Sequence, residues 1–326
     1  MFKVFKVFAL LAGFGAFAAL PSFAAASAVP GTLNYVEGRV TVAGQPVTAQ
    51  SVGSVQLEPN QVIATAQGRA EILLTPGVFL RIGDHSSVRM ASSSLDNIRV
   101  DLLGGQAIAE ADQVFKDSNI RVTLDGTAVK LTKHGLYSFN ADSGQIRVLD
   151  GKATVERDDR QVDLKKGRQV QLSDATLKPS KFDTKATEQQ DPLYAWSRLR
   201  SEYDSEASIQ SASVVTVGGP GWWGPGWYWN PWWGMYSYLP GDGYFYSPFG
   251  WPYYSPIFLY ATPGFRYGYG YGRPYYGHAV AGRGFAGPGF RGGAAPRTGG
   301  GFAGHAGFAG GSGFHGGGFA RGDGHR

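Results

Sequence analysis

Gly68-Arg69-Ala70-Glu71-Ile72-Leu73-Leu74-Thr75-Pro76-Gly77-Val78-Phe79-Leu80-Arg81-Ile82 is the stretch that decides the fold. Ala70, Ile72 and Leu74 recur at every second position, Thr75-Pro76-Gly77 interrupts the run, and Val78, Leu80 and Ile82 resume it. Successive side chains of a strand point to opposite faces, so a period of two marks a half-buried strand. Proline and glycine between two such runs mark a turn. The stretch therefore predicts two strands joined by a tight connection.

The same pattern extends in both directions. Val36, Val40 and Val42 precede it; Ile98-x-Val100-x-Leu102, Ile120-x-Val122-x-Leu124, Ile146-x-Val148, Val162-x-Leu164 and Val170-x-Leu172 follow. Gly83-Asp84, Gly104-Gly105, Asp125-Gly126, Asp150-Gly151 and Lys166-Gly167 supply turns between the runs. No convincing helical spacing occurs between Leu33 and Leu172. The expected fold is all-β, an antiparallel sandwich or jelly-roll-like roll of about 10–12 short strands. Gly38-Arg39-Val40-Thr41-Val42 is echoed by Gly151-Lys152-Ala153-Thr154-Val155 and, more loosely, by Gly105-Gln106-Ala107-Ile108-Ala109. Two accounts fit the echo: hairpins that each leave a glycine turn, or two related β units over 33–112 and 113–175.

Gly38-Arg39-Val40, then Asn60-Gln61-Val62-Ile63-Ala64-Thr65, then the quoted stretch together resemble the FecR domain. That family shows a glycine-led hairpin, a GD-x-I-x-T segment and a G-x-A-x-L-x-L-x-x-G-x-x-L-R-L segment. Pro59-Asn60 departs from the usual Gly-Asp, while Val88 and Leu102 through Ala109 fit the family's following strands. The resemblance is best over 33–112, within a β domain taken as 29–175. It implies an all-β extracytoplasmic interaction domain without catalytic residues. The family's best-known members carry an iron-uptake signal across the inner membrane to a sigma factor. That role needs a cytoplasmic helical region and a membrane-spanning helix, neither of which is read here, so the chain resembles the exported stand-alone members more closely.

Segments 1–28 read as an export signal. Lys3 and Lys6 are followed by an apolar run from Val7 to Leu20 and by small residues, with cleavage expected after Ala28 and with Ala24 or Ala26 as alternatives. The run is shorter than the roughly 20 residues a membrane-spanning helix requires, and no later stretch is read as an integral membrane span. The mature chain is expected in the periplasm, at the cell surface or outside the cell.

Composition then divides the chain near Ala212. The 326 residues carry 30 Lys+Arg, 25 Asp+Glu, 49 Gly and no Cys. Residues 29–212 have a net charge of −2 and residues 213–326 a net charge of +5; the latter hold 33 of the glycines, 13 of the 17 tyrosines and seven of the eight tryptophans. Without cysteine there are no disulfides, thiolate metal sites or thiol nucleophiles. Residues 176–212 are a linker plus an amphipathic helix over 191–207. Asp191-Pro192 starts that helix and Leu193, Trp196, Leu199 and Tyr203 form its apolar face. Residues 213–277 are dense in Trp, Tyr, Pro and Gly, and 278–326 are Gly/Phe/Arg low complexity. Gly and Pro recur too often there for a regular core, so this C-terminal region is expected to be largely disordered.

Candidate chemistry is sparse. Gly83-Asp84-His85-Ser86 reads as a hairpin turn rather than a catalytic triad, whose members meet in space and not in sequence. The six histidines lie at irregular spacings, and neither a metal nor a cofactor is expected. Arg291-Gly292-Gly293 is of an RNA-binding type, but export removes that partner, so no nucleic acid is expected. The candidate interaction residues are Trp222, Trp223, Trp227, Trp229, Trp232, Trp233 and Trp251, since indoles suit interfaces and sugar rings. The reading is a non-enzymatic envelope protein that meets another envelope protein, a polysaccharide or copies of itself. A sigma-factor regulator and a carbohydrate-binding surface protein are the alternatives.

Overall fold

The computed structural model describes residues 28–216, 222 and 224–262. Residues 1–27, on which the expected export signal falls, and the segment from 263 onward, including the low-complexity tail, lie outside the described residues.

Fifteen strands form one sheet: β1 (Leu33–Val42), β2 (Gln45–Val47), β3 (Val62–Thr75), β4 (Val78–Ile82), β5 (Ser87–Ser94), β6 (Asn97–Gly104), β7 (Gln106–Ala111), β8 (Asn119–Leu124), β9 (Thr127–Leu131), β10 (Gly135–Asn140), β11 (Gln145–Asp150), β12 (Lys152–Arg157), β13 (Arg160–Lys165), β14 (Arg168–Gln171) and β15 (Ser180–Lys181). The order is β13-β12-β9-β8-β6-β5-β3-β4-β7-β10-β11-β14-β15, with β1 paired to both β2 and β3. The pairs are antiparallel apart from β6 and β8, which run parallel with Ile98 opposite Ile120. The strand number exceeds the expectation, and two of the additional strands, β2 and β15, have only three and two residues, too few to show a period.

The hairpin that decided the fold forms as read. Ile72 pairs with Leu80 and Ala70 with Ile82. The long β3 serves two arms of the sheet, meeting β5 through Ile63 and Val88 and meeting β4 through Leu73 and Phe79. The alternating residues Ala70, Ile72, Leu74, Val78, Leu80 and Ile82 share one buried cluster with Val88, Val100, Val122, Val148, Leu164 and Val170. The two arms thus close over a single interior. Each fully buried aliphatic side chain there contributes about 1.5–3 kcal/mol relative to exposure.

The internal echo has a local cause. Gly38 and Gly105 have φ of +69° and +74°, and a Cβ would come within 2.2 Å of the Gln67 carbonyl oxygen or 2.3 Å of the Ser86 hydroxyl. Glycine is required where the chain crosses so closely. The strands of 113–175 do not form a separate unit, because β8, β9, β12 and β13 flank one side of the first strands while β10, β11 and β14 flank the other.

Two helices follow. α1 (Thr184–Gln190) is capped by the Asp183 carboxylate, which accepts from the Ala186 N–H at 3.1 Å. α2 (Pro192–Thr216) begins at the expected proline, with Asp191 Oδ1 accepting from the Leu193 N–H at 2.9 Å. It runs nine residues past the expected end at 207. The extension escapes an apolar pattern because its buried face is small and polar, with Ser208, Ser211 and Ala212 continuing a stripe begun by Ser205 and Ala207.

Residues 224–262 correct the expectation of disorder for that part of the chain. β16 (Gly226–Asn230) pairs with β17 (Met235–Leu239), β18 (Tyr244–Tyr246) pairs with β19 (Pro252–Tyr254), and α3 (Pro256–Ala261) follows. Gly and Pro punctuate these elements instead of preventing them. Gly234, Gly243 and Gly250 take positive φ between elements, and Pro256 opens α3 behind the Ser255 cap. The apolar partner these short hairpins need comes from elsewhere in the molecule. Among the described residues no helix is long and apolar enough to cross a membrane.

Candidate functional site

The second face of the central strands is also covered. Leu73 and Phe79 lie beneath Tyr236, Tyr238 and Tyr253, while Ile108, Leu136 and Leu149 lie beneath Leu193 and Trp196. Trp227 meets Phe79 edge-on at 5.0 Å between ring centroids. The sheet is therefore enclosed by its own second arm on one side and by α2 with the aromatic hairpins on the other.

Charged residues occupy the middle of this second seam. Arg81, paired across the hairpin with Glu71, directs Nε to Glu71 Oε2 at 2.6 Å and Nη2 to Asp204 Oδ2 on α2 at 2.8 Å. Its Nη1 meets Glu110 Oε2 on β7. Arg200 of α2 reaches Glu71 Oε1 at 3.0 Å and Asp204 Oδ1 at 3.3 Å, and its guanidinium lies 4.2 Å from the Tyr35 ring centroid. Ser201 Oγ donates to Glu110 Oε1 at 2.6 Å. Asn34 joins a third element: its Nδ2 donates to Glu71 Oε1 at 2.8 Å, and its Oδ1 accepts from the Tyr236 N–H at 2.8 Å. The cluster ties β1, β3, β4, β7, α2 and β17 together.

Arg81, Glu71, Glu110 and Asp204 are all fully buried. Burial alone would raise the Glu71 carboxyl, but Arg200 and then Arg81 outweigh it and bring it down to about 2. Asp204 moves the other way: burial, then the charge of Glu71, raise it well above the carboxylate range despite both guanidiniums. Asp112, just after β7, is raised well above that range by burial and by the charge of Glu110. Neither of its oxygens receives an N–H or O–H. The Tyr253 hydroxyl is likewise buried without a partner, and burial and then Asp112 push it up.

The serine stripe of α2 continues the seam. Ser208 Oγ donates to the Tyr238 carbonyl at 2.7 Å and Ser205 Oγ to the Pro252 carbonyl at 2.5 Å. Asn230 Nδ2 donates to the Ala207 carbonyl at 3.1 Å. Short polar side chains on α2 thus satisfy both hairpins, which helps so aromatic a segment dock in one register.

The expected helix face divides in two. Leu193 and Trp196 are buried against the sheet, whereas Leu199 and Tyr203 are 44% and 37% exposed. That corrects the single apolar face, because the helix turns Arg200 and Asp204 inward instead. The tryptophans divide as well. Trp222 packs with Ala212, Leu239 and Leu259; Trp227 and Trp229 pack with Tyr236 and Tyr238. Trp251 donates its indole N–H to the Arg198 carbonyl at 3.2 Å. Trp223 lies outside the described residues. Trp232 and Trp233 sit between β16 and β17, 66% and 37% exposed, and Trp233 lies 5.5 Å from the Tyr203 ring. Tyr203 and Trp233 thus meet at the surface, with exposed Leu199 one turn away on α2 and exposed Trp232 next to Trp233, one part from the expected helix face and one from the expected indoles.

Glu71, Arg81, Glu110, Asp112, Arg200 and Asp204 did not emerge from sequence reasoning. A signal for them exists: Leu73 and Phe79 are apolar out of phase with Ile72 and Leu80, as expected of a strand buried on both faces. The turn reading of Gly83–Ser86 fits the geometry. Asp84 Oδ1 accepts from the Gly68 N–H at 2.7 Å, His85 has φ +52°, and Ser86 Oγ accepts from the Gln106 N–H at 2.9 Å. Beside it, Arg69, Gly83, Asp84, Gln106, Pro192 and Leu193 line a cleft of about 120 Å³, small for a ligand pocket.

No family model matches the chain, and no curated protein matches it. Two crystal structures of a "putative anti-sigma factor" from Parabacteroides distasonis ATCC 8503 are similar to it. One is 16% identical over 40% of this chain and the other 15% identical over 42%, each with a TM-score of 0.34. This chain spans 64% of the length of each. A likeness of that size carries no argument about function.

Proposed function

We propose that this chain is an exported, non-catalytic interaction protein in which a FecR-like β domain serves as the base for an aromatic binding platform. The observation that carries the reading is the docking of the aromatic block on Leu73 and Phe79 and through Asn34, Ser205 and Ser208, which leaves Trp232, Trp233, Tyr203 and Leu199 exposed on a packed support. Exposed indoles on an ordered surface lose little freedom on binding and bury large apolar area, the combination found at interaction hot spots. The N-terminal pattern of Lys3, Lys6, the apolar run and Ala28 supports export. The partner is an envelope protein or polysaccharide.

A polysaccharide is the second reading, and the large exposure of Trp232 favours it, because an open indole face stacks on sugar rings. The test is the double variant Trp232→Ala/Trp233→Ala, compared with wild type for retention in the cell envelope and for binding to a glycan array. Lost retention with an unchanged urea midpoint supports the platform; unchanged retention removes it from the reading. Deleting the whole C-terminal region would not separate these outcomes, since it would also uncover Leu73 and Phe79.

A further inference from the structure

Asp112 is a buried carboxyl that no N–H or O–H reaches. Its neighbour is the Glu110 carboxyl, within hydrogen-bonding reach and already holding Arg81 and Ser201 Oγ. Two carboxyls can bond to each other only when one of them carries a proton. The groups whose charge or titration is linked to that of Asp112 are Glu110 on β7, Arg81 on β4, Asp204 on α2, Tyr238 on β17 and Tyr253 on β19. Arg81, the one cation among them, is engaged by Glu71, Glu110 and Asp204. The seam as a whole sets four buried carboxyls against two guanidiniums, so the charges are matched only when carboxyls take up protons.

We propose that a proton on Asp112, shared with Glu110, latches α2 and the aromatic hairpins onto the sheet, so that the block is held at mildly acid pH and loosens as pH rises. Opening the block places Asp112 in water, where it ionises; closing it takes the proton back. The burial that raises Asp112 sets the sign. Its contribution is complete below the ordinary aspartate value and is lost as pH rises from there through the raised value of the closed state. Across that window one coupled proton changes the closing equilibrium by up to about tenfold per pH unit. This inference builds on the proposed platform only for what opening would do; its test reads folding rather than binding, so either can fail alone.

The experiment is urea unfolding of the full chain, followed by tryptophan fluorescence between about pH 5 and 8, for wild type and Asp112→Asn. Wild type should lose stability across this range. The variant, which carries a neutral amide in place of the protonated acid, should lose much of that slope and exceed wild type at the upper end. The infrared difference spectrum of wild type minus Asp112→Asn at neutral pH should show a protonated-carboxyl C=O band, over and above any band that the likewise raised Asp204 gives in both proteins, a signature a merely structural role would not move. Equal slopes in the two proteins, no such band, or failure of Asp112→Asn to fold at neutral pH would each overturn the proposal.

Discussion

The two faces of the β3–β4 hairpin are built by different rules. The inner face presents Ala70, Ile72, Leu74, Val78, Leu80 and Ile82 to an apolar interior supplied by the same domain. The outer face presents Glu71, Leu73, Phe79 and Arg81 to a helix and hairpins more than a hundred residues away in sequence. Apolar packing on the inner face tolerates many partners, since burial depends on area and shape more than on direction. The outer face is directional: each carboxylate and guanidinium has a named counterpart, and removing one leaves another buried without compensation. The outer seam should therefore be the more fragile of the two.

The strongest test of that difference is Arg81→Ala, which abandons Glu71, Glu110 and Asp204 in the seam. A loss of about 3–5 kcal/mol is expected, with hydrogen exchange rising first in α2 and β16–β19. Uniform loosening of both faces would erase the distinction. Next comes acid. Glu71 sits below its ordinary value, so its contribution is present above the normal glutamate range and is lost as pH falls through the folded value of about 2. Roughly 3 kcal/mol should disappear over that interval, and Glu71→Gln should lack this acid limb in urea titrations. On the inner face, Ile72→Val should cost only about 1 kcal/mol and leave exchange in the aromatic hairpins in proportion to the rest. The smallest effect belongs to the platform: Trp232→Ala should change stability by no more than about 0.5 kcal/mol, measured as the urea midpoint, because its ring is largely in solvent.

Much of the fold was legible. The period of two named the inner positions, and all of those but the partly buried Val162 are buried. The helix start at Asp191-Pro192 was legible too, because capping is a local matter of which group meets the first free N–H. The helix end was not, since Ser205, Ser208 and Ser211 look like solvent-facing residues until the carbonyls they serve are known. The candidate site was half legible. Trp232, Trp233, Leu199 and Tyr203 were named, but nothing local separates these exposed rings from the buried ones at Trp227 and Trp229.

The sequence by itself determined an all-β body, its interior face, its turns and the onset of the helix, because alternation, turn chemistry and capping act over a few residues. Only the tertiary structure decided that residues 224–262 form ordered hairpins and that the quoted hairpin is buried on both sides. The physical reason is that Arg81, Glu71, Asp204 and the aromatic rings each lack a reason to be where they are until all are brought together. A charge becomes tolerable in the interior, and a glycine-rich hairpin becomes stable, only when a distant segment supplies the partner.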